Sequence, residues 1–148
     1  MLKNKISSLF FCIYLVLTGC QSSDFVISET LLSAREHRRI ILSVIGDARL
    51  VSQNGREMYS HYHDSKFKFL DDPTKVKTRY YSKVVILGAR RPYDISVEVR
   101  RESKDPDSKQ FIDQGLDEGL SRKRLDELKV LLNQSRESSQ EFDVENPF

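Results

Sequence analysis

Tryptophan is absent from the 148 residues, and only two cysteines occur, Cys12 and Cys20. Beyond residue 20 the chain therefore has no thiol: it forms no internal disulfide, offers no cysteine nucleophile and supplies no thiolate to a metal. Glycine and proline are sparse, six and four, and no glycine falls in a Walker loop or a dinucleotide-binding turn. A Gly-x-Ser-x-Gly elbow is missing too. With no nucleophile constellation, the chain reads as a non-enzymatic protein that needs no cofactor. Long apolar runs are also lacking. The longest, from about Leu9 to Leu17, falls well short of the ~20 residues that cross a ~30 Å hydrocarbon core.

What the amino terminus does contain is ordered like an export signal: Lys3 and Lys5, then the apolar run, then the small residues Thr18 and Gly19 before Cys20. Leu17-Thr18-Gly19-Cys20 resembles the lipobox of bacterial lipoproteins position for position. The resemblance implies cleavage between Gly19 and Cys20, a diacylglycerol thioether on the Cys20 sulfur and an acyl chain on the new amino terminus. Two or more acyl chains hold a protein on a membrane, since each buried CH₂ contributes ~0.8 kcal/mol. Among enterobacterial lipoproteins an Asp after the cysteine favours inner-membrane retention. Here Gln21 follows, which implies an outer-membrane anchor facing the periplasm.

Removing residues 1–19 takes Lys3 and Lys5 away and lowers the 24 basic side chains to 22, equal to the 22 acidic ones. The formal charge of +2 thus belongs to the leader. Roughly 130 residues remain, enough for one hydrophobic core and too few for two. The expected division is a cleaved signal over 1–19, a lipidated tether over 20–28, a single domain over 29–136 and an acidic flexible tail over 137–148.

Within the domain, Leu32, Ile40, Ile41, Val44, Ile45 and Ala48 recur at helical spacing among arginines, which predicts an amphipathic helix from Thr30 to about Ala48. Asn54-Gly55 predicts a hairpin between Leu50-Val51 and Met58–Tyr62. Val76–Leu87 and Tyr93–Glu102, joined by Gly88-Ala89-Arg90-Arg91-Pro92, alternate apolar and polar side chains as two half-covered antiparallel strands do. Asp105-Pro106-Asp107 has the residues of a helix start, and Ile112, Leu116, Leu120, Leu125, Leu128 and Leu132 continue at helical spacing, with Gly115 and Gly119 able to split the run. The expected fold class is α+β: an antiparallel sheet of three to four strands with two helices on one face.

Two features carry candidate chemistry. From Lys75 to Arg101 eight basic residues face only Asp94 and Glu98, and Lys77, Arg79, Lys83, Arg90 and Arg91 are the residues expected to attract an anion. Lipid headgroups, lipopolysaccharide phosphates or an acidic envelope protein fit such a patch, whereas nucleic acid does not belong to that compartment. The alternative is a solvated strand face whose cations guard an edge. The second feature is His61-Tyr62-His63-Asp64. On a strand, two imidazoles two residues apart point the same way, and with a carboxylate they can hold a divalent ion, the basis of a small metal-binding or hydrolytic alternative.

Overall fold

A computed structural model describes residues 25–145. The chain runs β1 (Val26–Thr30), α1 (Ala34–Ile45), β2 (Ala48–Val51), β3 (Glu57–Ser60), β4 (Thr78–Leu87), β5 (Tyr93–Lys104), β6 (Phe111–Leu116) and α2 (Glu118–Glu145). The fold is α+β as expected, but the sheet has six strands, all paired antiparallel, in the order β1-β5-β4-β3-β2 with β6 also on β5. β4 pairs with β5 from Thr78↔Ser103 to Leu87↔Asp94. The opposite edge of β5 is shared: β1 lies along Tyr93–Ser96, and β6 along Arg100–Lys104.

Alternation along the central hairpin decides which face is covered. Val84 and Ile86 of β4 meet Val97 and Ile95 of β5, and all four are buried. Against them pack Ile40, Ile41 and Ile45 of α1 and Leu125, Leu128 and Leu132 of α2, so both helices lie on one face of the sheet. α1 starts with a capping box: Ser33 Oγ accepts from the Glu36 N–H, and Glu36 accepts from the Ser33 N–H at 2.8 Å. It stops at Gly46. The Asn54-Gly55 hairpin forms as expected, joining β2 to β3.

Three expectations are corrected. The tether over 20–28 is too long, because Phe25 is already in the core and β1 begins at Val26. The segment after Asp105 does not start a helix: Asp105 caps a tight turn by accepting from Ser108, and Phe111–Leu116 forms β6. The helix begins where Asp117 accepts from the Leu120 N–H at 2.9 Å. Residues 137–145 continue α2, so the expected tail is helical as far as Glu145.

Candidate binding surface

The hairpin cations do not form one patch. β4 is ten residues long, which separates its ends by ~33 Å, with Lys77 before it and Arg90 and Arg91 after it. Arg79 is engaged: its Nε lies 2.6 Å from Glu102, and its guanidinium sits 3.8 Å over Tyr62 and 3.7 Å over Phe111. Lys83 pairs with Glu57 at 3.0 Å, a contact that raises the lysine pKa. Glu57 is held below the ordinary carboxylate range chiefly by the Tyr59 hydroxyl, then by Lys83. Among the described residues, the side chains of the exposed Lys77, Arg90 and Arg91 make no hydrogen bond or close ion pair.

Folding gives Arg90 and Arg91 new neighbours. Arg56, after the β2–β3 turn, donates to the Gly88 carbonyl and to the Ala89 carbonyl at 3.3 Å, fixing the loop that presents them. Arg38 of α1 donates to the Gly55 carbonyl at 3.2 Å. Arg91 and Arg39 both act on Glu36, whose pKa is lowered first by its hydrogen bonds with Ser33 and further by these two cations. One end of the molecule thus collects arginines from α1, the β2–β3 turn and the β4–β5 loop. The sequence signal was Arg38-Arg39 on the polar side of a helix and Arg56 beside Asn54-Gly55. Neither spacing says that these turns meet.

Beside this end lies a groove of about 420 Å³. One wall is the segment 27–32, the end of β1 and the two residues after it, the other the α2 residues Lys129, Leu132, Asn133 and Arg136, with Arg91 also lining it.

The histidine expectation is corrected. β3 ends at Ser60, so His61 and His63 do not share a strand face. His61 is exposed, with its ring edge toward Phe69. His63 is buried, its Nδ1 2.8 Å from the Asp64 carbonyl oxygen and its Nε2 3.3 Å from Ser82 Oγ. The Asp64 carboxylate accepts from the Lys66 and Lys68 N–H groups, which lower its pKa. Both nitrogens of His63 are therefore occupied, and the three side chains do not converge. Among the described residues, no group of three His, Cys, Asp or Glu is placed to hold a metal ion.

Gly19 and Cys20 lie outside the described residues. Among the described residues, no helix is long and apolar enough to cross a membrane. No family model, curated protein or solved structure matches the chain.

Proposed function

We propose that this chain is a lipid-anchored protein of the bacterial envelope, held through Cys20 at the outer membrane and facing the periplasm, whose α+β domain binds an anionic envelope component and does no chemistry of its own. The supporting observation is the arginine-rich end, where the Arg90 and Arg91 side chains make no hydrogen bond or close ion pair among the described residues, Arg91 acting on Glu36 only at longer range, while Arg38 and Arg56 hold the turns around them. Unpaired guanidiniums favour bidentate carboxylate or phosphate contacts. The anchor reading rests on Leu17-Thr18-Gly19-Cys20 and on the short distance to the domain: the four residues 21–24 reach at most ~14 Å.

Two measurements test this. Cys20→Ser is expected to abolish incorporation of labelled palmitate in cells. Photocrosslinking from position 90 in intact cells is expected to capture an envelope component, and reversing the neighbouring Arg91 to Glu is expected to cut capture about tenfold. Lys83→Glu is expected to destabilise the fold through Glu57 without selectively lowering capture. Capture unchanged by Arg91→Glu would refute the role of this end.

A further inference from the structure

We propose that the groove between β1 and α2 is a docking site for an extended acidic peptide segment, which adds a strand to the outer edge of β1. The proposal deepens the binding reading above and rests on it. Three observations place the ligand class.

The first is the free edge. β1 pairs with β5 on one side only. The Phe25 carbonyl accepts from the Val97 N–H at 2.9 Å, on the β5 side. Main-chain groups alternate in direction along an antiparallel strand, so those of Val26 and the N–H of Ser28, which lines the groove, point away from β5, before the register shift between Ile27 and Thr30 and the φ of 58° at Glu29 interrupt the alternation. An added strand would lie ~4.8 Å from β1 and pair with them.

The second is the opposite wall. Lys129, Leu132, Asn133 and Arg136 occupy one helical face at three- and four-residue spacing. With Ile27 and Leu32 across from it, Leu132 gives the groove an apolar floor, and Leu31 beside it is 64% exposed. Apolar side chains at every second position of an extended segment fit this floor.

The third is charge. The side chains of Arg91, Lys129 and Arg136 make no hydrogen bond or close ion pair among the described residues. The lining sets these three cations against two carboxylates, Glu29 and Glu36, an excess of one positive charge, with Arg91 already acting on Glu36. Acidic side chains alternating with the apolar ones answer this excess. An acyl chain would satisfy the floor but leave the outward main-chain groups of β1 without partners, which is costly wherever water is displaced. The edge therefore favours a peptide over a lipid.

The test uses the full chain in detergent micelles and a fluorescent decapeptide of alternating valine and glutamate, read by anisotropy. Binding is expected, with a strong fall at raised salt and none for the valine–lysine counterpart. Lys129→Glu with Arg136→Glu, both on the exposed side of α2, is expected to weaken binding about tenfold or more. Ser28→Pro removes an outward N–H. Should that variant fail to fold, N-methylation of alternate peptide amides removes the same ladder from the ligand side and is expected to abolish binding. Absent binding, equal binding of both peptides, or indifference to N-methylation overturns the proposal. So does displacement of the peptide from the groove by phosphatidylglycerol vesicles at lower concentration than by unlabelled peptide, which would assign the site to lipid. A dimer in sedimentation that is lost with Arg136→Glu would assign it to a second copy. If the peptide fails while capture in cells still depends on Arg91, the groove assignment falls and the binding role of the arginine-rich end stands.

Discussion

Val99 lies in the gap between β1 and β6 on the shared edge of β5, and single side chains close that gap. Its N–H donates to Ser121 Oγ at 2.8 Å and its carbonyl accepts from the Asp117 N–H at 2.8 Å, while the Ser121 hydroxyl donates to the Asp117 carbonyl. Both Val99 and Ser121 are fully buried, so Ser121→Ala leaves the Val99 N–H without a partner and is expected to cost about 1–3 kcal/mol in urea unfolding. Ser138→Ala, on the exposed surface, should cost close to nothing; equal losses would deny Ser121 this role. Buried histidines give a second prediction. Burial holds the pKa of His37 and of His63 below the usual 6.5. As pH falls below 6.5 the unfolded chain therefore takes up these protons first, and stability declines until the folded-state pKa is reached. Each histidine contributes a slope of at most about 1.4 kcal/mol per pH unit. Glu36 and Glu57 are shifted downward as well, but from 4.5, so their contribution is lost only at lower pH and the interval from 6.5 to 5 belongs to the histidines. Neither ring nitrogen of His37 has a hydrogen-bond partner. His37→Leu should thus reduce the slope without lowering stability at pH 7.5, and an unchanged slope would assign it elsewhere.

At the scale of elements, boundaries are set by residues with one conformational option. Gly46 ends α1 at φ 74° and ψ −167°, a region essentially restricted to glycine, so Gly46→Ala is expected to cost on the order of 1–3 kcal/mol. A Cβ there would also stand 2.7 Å from Phe69 Cζ. Phe69 is 48% exposed and able to move, so adding Phe69→Ala should restore only a minor part of the loss; full restoration would make the clash, not the backbone, the cause. The sequence carried the helix past Gly46 to about Ala48, whereas the Asn54-Gly55 turn and the alternation in β4 and β5 were legible because each is a local pattern. β6 was not. Leu116 and Leu120 have helical spacing, yet Leu116 closes a strand and Leu120 opens α2, with Gly115 at φ 93° between Phe111 and the helix. Asp105-Pro106-Asp107 carries start signals that serve a turn as well as a helix. β1 was missed for another reason: Val26 and Ile27 are too few apolar residues to announce a strand, and what makes them one is β5, distant in sequence. The histidine pair failed through a boundary as well, since period-two logic holds only while the strand lasts, and β3 stops at Ser60. Of the arginine-rich end, Arg90 and Arg91 were legible in the sequence, while the company of Arg38, Arg39 and Arg56 is a product of folding.

For the whole molecule, sequence separation and position in the sheet together order its stability. β4 and β5 form a hairpin at the centre, covered by both helices and flanked by strands on either side. β2 is a four-residue edge strand whose Leu50 and Val51 are largely exposed. β1 is buried more deeply, but its partners are far away: Val26 pairs with Ser96, so docking it closes a long loop, an entropic cost the hairpins avoid. Native-state hydrogen exchange is expected to follow this order. Amides of Val84, Ile86, Ile95 and Val97 should open only with global unfolding, those of β2 by local fraying, and those of β1 at an intermediate free energy as a unit with the start of α1. Because β1 also forms one wall of the groove, a ligand paired to its outer edge would close that intermediate opening and leave the central hairpin unchanged. Exchange in β1 as slow as in β5 would instead make the strand part of the central cooperative unit.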